Sequence, residues 1–341
     1  MDGRNFAFQS QASVVPNETT PIIINRPTNI IASHSCPSSL TRARSAKHLQ
    51  LSKEISIITM LSHGSPMKRT LSLMLISFLL LTSYAVGQDS LWKKIDEGLH
   101  YGDFTAPVKS NTGDSKILIV RIDPKIYNFR LLSASELTPG STSFTVKEWA
   151  DKYKLISAIN AGMFQTDLKA NVGYMKNYAH LNNPRIHKTY TSVFAFNPKK
   201  EDVPPAMIFD TDEKDFKEVI NGYNTIIQNL RLIKRPGLIR WAQQEKRWSE
   251  AALGQDQNGN ILFIFSGSPY TMHELSKILL SLPIKLECAM HLEGGPAASF
   301  YLRHNGIELG RVGRHEFSSI IGDMNNEFLP LPNVIGITKR K

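Results

Sequence analysis

Residues 249–265 read SEAALGQDQNGNILFIF, two apolar runs separated by Asp256-Gln257-Asn258-Gly259. Asp, Asn and Gly are the residues that a tight reversal requires, because they tolerate turn backbone angles and bond to their own main chain. The flanks, Ala251 to Gln255 and Ile261 to Phe265, have strand length. Their connection is too short for a crossover helix, so the two strands pair antiparallel. Working outward, Lys116 to Ile122 (KILIVRI) and Phe129 to Leu132 predict strands about the Asp123-Pro124 turn. Leu155 to Ile159, Thr189 to Phe196, Ala206 to Phe209, Thr225 to Gln228 and Leu286 to Leu292 predict further strands. Ser299 to Arg303 and Ile307 to Leu309 form a second hairpin about Asn305-Gly306.

Helices are fewer. Thr145 with Glu148, and Thr271 with Glu274, have the spacing of reciprocal N-terminal caps. The first opens a helix through Tyr153. The second opens one carrying Leu275, Ile278, Leu279 and Leu282 on one face until Pro283 ends it. A short helix is also expected at Lys214 to Ile220. Strands joined by short turns with few helices predict an α+β fold, a single domain with one mixed, largely antiparallel sheet flanked by helices.

The N-terminal quarter reads differently. From Met67 the chain runs MKRTLSLMLISFLLLTSYAVGQ: Lys68 and Arg69, an apolar stretch from Leu71 to Leu81, then small residues before Gln88. That is the layout of a cleaved secretory signal, and the apolar run is shorter than the ~20 residues that cross a bilayer. The expected organisation is therefore a spurious or disordered extension at residues 1–66, a signal peptide at 67–87 and one domain over 88–341, exported to the periplasm or outside the cell. No stable membrane insertion is expected once the signal is removed.

Charge follows that division. Of 40 Lys/Arg and 30 Asp/Glu, residues 1–87 hold eight and three, so 32 and 27 remain, a net of +5 against +10 for the whole chain. A mild positive balance suits an anionic small molecule or glycan. No basic stripe interleaved with aromatics is present, so nucleic acid is not an expected partner. Cys36 falls in the leader, leaving Cys288 between apolar neighbours, a buried and inert thiol.

Phosphate-loop, dinucleotide-fingerprint, HExxH, CxxC and GxSxG patterns are absent from the sequence. No ligand cluster has metal spacing, so neither metal nor cofactor is expected. Three segments stand out instead. Ser157 to Phe164 runs from an apolar strand into Asn160-Ala161-Gly162. An Asn at a strand end can both donate and accept, and a Gly lets backbone approach closely, although an ordinary strand-to-turn transition reads the same. Arg247 to Asp256 places Arg247 and Glu250 at a strand start. Arg suits bidentate contact with phosphate, while a surface ion pair beside Trp248 is the plainer reading. His291 to Ser299 carries Glu293 out of an apolar strand into Gly294-Gly295. Packing explains such a carboxylate poorly. The glycines bare backbone N–H groups beside it, and partial burial raises a carboxyl toward general-acid range.

In this order the segments resemble the phosphodiester glycosidase family. Its pattern is a strand ending Asn-Gly/Ala-Gly-hydrophobic-Phe, a later strand ending Ala-hydrophobic-Gly-x-Asp-x-x-Gly, and a late strand ending Leu-Asp-Gly-Gly-x-x-Ser. Here these stand as Asn160 to Phe164, Ala252-Leu253-Gly254-Gln255-Asp256 through Gly259, and Leu292-Glu293-Gly294-Gly295 with Ser299 displaced. The likeness spans about Lys116 to Gly322. Two departures are visible: Glu293 stands where the family has Asp, and Glu250-Ala251 where many members have Arg-Thr.

The resemblance implies hydrolysis at the anomeric carbon of a sugar-1-phosphodiester. It would make Glu293 the principal catalytic carboxylate, with Glu250 or Asp256 as the second. Arg247 would meet the phosphate, and Asn160 and Ser299, beside Gly162, Gly294 and Gly295, would meet sugar or phosphate oxygens. Two other readings stay open: a non-catalytic periplasmic glycan-binding protein, and a glycosidase acting on an ordinary polysaccharide.

Overall fold

The computed structural model describes residues 91–138, 143–314 and 327–341. The expected extension and signal peptide lie outside the described residues, which all fall within the compact unit Gln88–Lys341. Among them no helix is long and apolar enough to cross a membrane.

The chain begins with β1 (Lys93–Asp96), β2 (Leu99–Thr105), β3 (Lys116–Ile122), β4 (Tyr127–Ser133) and β5 (Phe144–Thr145), followed by α1 (Val146–Tyr153). Next come β6 (Ser157–Asn160), β7 (Met175–Asn177), β8 (His180–Asn183), β9 (Ser192–Pro198), β10 (Ala206–Asp210) and α2 (Phe216–Gly222). β11 (Tyr223–Asn229), β12 (Arg231–Lys234), β13 (Leu238–Ile239), β14 (Trp248–Asp256) and β15 (Ile261–Tyr270) lead to α3 (Met272–Ser281). β16 (Leu286–Gly294), β17 (Ser299–His304), β18 (Ile307–Val312), β19 (Pro330–Leu331) and β20 (Asn333–Lys339) complete the described chain.

These strands form an eight-stranded sheet in the order β1-β2-β3-β15-β14-β16-β12-β13. Two five-stranded sheets have the orders β10-β9-β11-β7-β8 and β18-β17-β6-β20-β4, and β19 pairs with β5. The expected single mixed sheet is thus corrected to several sheets, and the fold is more β-rich than expected. Every pairing among the described strands is antiparallel. Turn residues announce reversals locally but do not say which distant strands pair. The last strand, β20, lies between β6 and β4, a partnership made across most of the chain.

The core explains the sheets. Val120, Leu253, Phe263 and Met290 of the eight-stranded sheet meet Phe194, Phe196 and Ile227 of the second. Ile159, Phe300 and Ile335 of the third join the same cluster. The opposite face of each sheet carries a helix: Leu275, Ile278 and Leu279 of α3 on the first, Phe216 and Val219 of α2 on the second, Val146 and Trp149 of α1 on the third. A strand covered on both faces needs no polar alternation, which is why KILIVRI and ILFIF read as continuous apolar runs. Both expected caps are formed. Thr145 and Thr271 accept from the backbone of Glu148 and Glu274, whose carboxylates accept in return.

Candidate active site

β14 and β16 lie side by side, and their shared end carries the acidic residues. Glu250 is opposite Gly294, Ala251 opposite Glu293, and Ala252 opposite His291, so Leu292 is an extra residue in β16. Such a bulge bends a strand and re-aims the side chains beside it. Here it is secured from another sheet, because Asn229 at the end of β11 donates from Nδ2 to the Leu292 carbonyl at 3.2 Å. The bulge also divides the acids. Glu250 and His291 lie on the face of Ala252, toward α3, whereas Glu293 is level with Ala251, which belongs to the central core.

Glu250 and His291 are both buried, with Oε1 2.5 Å from Nδ1. Glu250 Oε2 accepts from the Trp248 indole at 3.0 Å. The indole packs against Gly294, where a Cβ would come within 2.4 Å of its ring. Burial raises the Glu250 carboxyl above its ordinary range. Burial alone would lower His291, but the Glu250 carboxylate overrides it and raises the imidazole. Both shifts have one meaning: the pair holds on to a shared proton and titrates as a unit.

Glu293 is half-buried as a residue, and protein packs round its carboxyl. Burial pushes it up to about 7; His291 and a 3.0 Å bond from its neighbour Gly294 N–H pull back, and Glu250 adds a further rise. A carboxyl poised there exchanges protons readily at neutral pH.

The turn after Glu293 is held from β6. Asn160 donates from Nδ2 to the Ala297 carbonyl at 3.0 Å and accepts the Ser299 N–H on Oδ1 at 2.7 Å. Ser299 is fully buried and donates its hydroxyl to Ala297 at 3.2 Å. Gly295 adopts a φ of +68°, which favours glycine. Asn160, Ser299, Gly294 and Gly295 are therefore brought together around Glu293.

Gly162 stands beside the same corner. A Cβ there would lie 2.5 Å from Asn171 Oδ1 and 2.9 Å from Asn229 Nδ2, the group that secures the bulge. Gly162→Ala is expected to displace Asn229 and cost about 1–3 kcal/mol through overpacking, read as a lower thermal unfolding temperature. An unchanged unfolding temperature would mean the corner is not tightly built.

Two expected site residues are engaged otherwise. Arg247 makes a bidentate pair with Glu274 at the start of α3, at 2.6 and 2.7 Å, so the plainer ion-pair reading describes it. Asp256 sits at the far end of β14, roughly 20 Å from Glu250 at strand rise, where it accepts from Asn258, Asn260 N–H and Asn260 Nδ2 in the hairpin. His291, Trp248 and Asn229 were not singled out from sequence. The period-two spacing of Trp248 with Glu250 was the available signal; the bulge at Leu292 breaks the same spacing between His291 and Glu293. Cys288 is buried and its thiol is pushed up to about 12 by desolvation, which leaves it unreactive. Among the described residues no group of three or more His, Cys, Asp or Glu is placed to hold a metal ion.

Comparison with solved structures gives matches of low identity. A hypothetical protein from Synechocystis is 15% identical with a TM-score of 0.49, over 72% of this chain and 62% of that one. The catalytic domain of zebrafish N-acetylglucosamine-1-phosphodiester alpha-N-acetylglucosaminidase is 16% identical with a TM-score of 0.47, over 73% of this chain and 86% of that one. A comparison with curated proteins gives no match. The sequence pattern of one family matches residues 153–338, more than half of the chain and the stretch in which Asn160, Glu250 and Glu293 lie: this protein belongs to the phosphodiester glycosidase family.

Proposed function

We propose that this protein is an exported hydrolase that cleaves the glycosidic bond of a sugar-1-phosphodiester. The observation that carries the reading is Glu293: a half-buried residue whose carboxyl is raised to about 7, at a bulged strand end against a glycine turn. Family membership supplies the reaction class, the signal pattern from Met67 the route out of the cell, and the mild positive charge an anionic substrate.

In this reading water attacks the anomeric carbon as its bond to the phosphate oxygen breaks, yielding a free sugar and a phosphomonoester. The leaving group already carries negative charge and needs little protonation. The demanding step is activation of water, and Glu293 in its ionised form takes that proton. Glu250 and His291, buried behind the strand end, set the charge around Glu293, while Asn160, through Ala297 and Ser299, shapes the turn that faces the substrate.

The test is turnover by the purified protein of a chromogenic sugar-1-phosphodiester beside the plain aryl glycoside of the same sugar. Preference for the diester supports the proposal. Hydrolysis of the aryl glycoside alone indicates an ordinary glycosidase, and tight sugar binding with no turnover of either a glycan-binding protein.

A further inference from the structure

A cavity of about 730 Å³ opens beside the candidate site, within the size range of small-molecule pockets. The strand register links the two. Leu118 of β3, Phe265 of β15, Ala251 of β14 and Glu293 of β16 stand in one row across the sheet. Leu118 and Phe265 line the cavity, so Glu293 lies two strands from it, roughly 10 Å at sheet spacing. Ala251 is the residue between them in that row.

The opposite wall is the end of β18 and is tied to the site at two points. Gly313 donates its N–H to the Ala298 carbonyl at 2.7 Å, and a Cβ on Gly313 would fall 1.9 Å from the Gly295 carbonyl, so these backbones touch. Ser249, next to Glu250, donates to the Gly267 carbonyl at 2.8 Å and accepts the Arg314 N–H at 2.8 Å. Gly267 and Arg314 both line the cavity.

The lining is cationic in balance. Lys116, Arg311 and Arg314 face Asp103 and Asp114, and Asp103 is paired with Lys116 at 3.6 Å. Arg311 spends one N–H on the Gly310 carbonyl at 2.9 Å and has further donors in its fork. This wall offers the cation that Arg247, committed to Glu274, does not bring to Glu293.

Resting on the proposed function, we infer that this cavity receives the leaving half of the substrate, a phosphomonoester with its alcohol, and that Arg311 meets the phosphate. Gly267 allows a steric test as well as an electrostatic one. Its nearest outside neighbour to an added Cβ is the Phe265 ring at 3.6 Å, ordinary contact, so the backbone accepts a Cβ on the cavity lining, where leucine adds bulk.

The experiment compares wild type, Arg311→Gln and Gly267→Leu. Calorimetry with glycerol phosphate reads binding, steady-state kinetics use a sugar-1-phosphodiester and the matching aryl glycoside, and unfolding temperatures equal to wild type certify the fold. Glycerol phosphate is expected to bind wild type, about tenfold or more weaker to Arg311→Gln for one lost charge-assisted hydrogen bond, and not measurably to Gly267→Leu. KM for the diester should rise in parallel with kcat nearly unchanged, and Arg311→Gln should raise it far more than KM for the aryl glycoside, which carries no phosphate. Diester turnover that neither variant alters overturns the inference and leaves the proposed function standing. Binding that depends on Arg311 and Gly267 without any turnover upholds the site and removes the enzymatic reading. No binding to folded wild type overturns the inference outright.

Discussion

Glu293→Gln is expected to slow diester hydrolysis by about 10²–10⁴-fold, the usual contribution of a positioned acid or base. The amide keeps the shape and the bond from Gly294 but cannot take a proton. In the wild type the ionised form is the competent one, so the rate should climb about tenfold per pH unit below about 7 and level off above it. The variant should lose that limb. Stability should move the other way. The folded pKa, about 7, lies above the ordinary 4.5, so the native state binds this proton more tightly than the unfolded chain does. The resulting stability is fully present below about pH 4.5 and is lost as pH rises to about 7. Replacing the acid removes the loss, so at pH 8 the variant should be more stable by about 1–3 kcal/mol, with no gain at pH 4. Rate profiles and denaturant unfolding at the two pH values check both halves. A variant with near-wild-type turnover would take Glu293 out of the mechanism.

That opposition between activity and stability explains why Glu293 was legible in the sequence. A carboxylate leaving an apolar strand into two glycines contradicts packing, and such contradictions mark function. The β14–β15 hairpin and both capped helices were legible for the opposite reason: turn residues, caps and apolar runs agreed locally. Three parts were not legible. The division into several sheets depends on pairings such as β20 with β6, between segments far apart in sequence. The bulge at Leu292 depends on Asn229, which arrives from a different sheet and looks like an ordinary strand-end residue. Arg247 and Glu250 looked alike on paper as charges at a strand start. The fold separates them, because Glu274 at a helix cap claims Arg247 while Trp248 and His291 enclose Glu250.

His291→Leu should be the most damaging single substitution at the site. It strands Glu250, 1% exposed, with the Trp248 indole as its remaining side-chain partner among the described residues, and breaking one side of a buried pair costs about 3–5 kcal/mol. The unpaired carboxyl escapes that cost by taking a proton, since its pKa, already raised by burial, loses the imidazolium that held it down. The defect should therefore be severe at pH 8 and shrink toward pH 5. Glu250→Gln reverses the sign. His291 then lacks the carboxylate that raised it, burial lowers its pKa, and that variant should weaken as pH falls below about 6.5. The double variant should cost less than the two single costs together, which a double-mutant cycle measures. Equal damage from His291→Leu at pH 5 and pH 8 would mean that lost packing, not a stranded charge, is the cause. The same variants carry a second signature. His291 lowers the Glu293 pKa more than Glu250 raises it, and neither single variant retains a charged imidazole near neutral pH. In both, the midpoint of the rate profile should move above about 7, a displacement that a purely structural role for the pair does not produce.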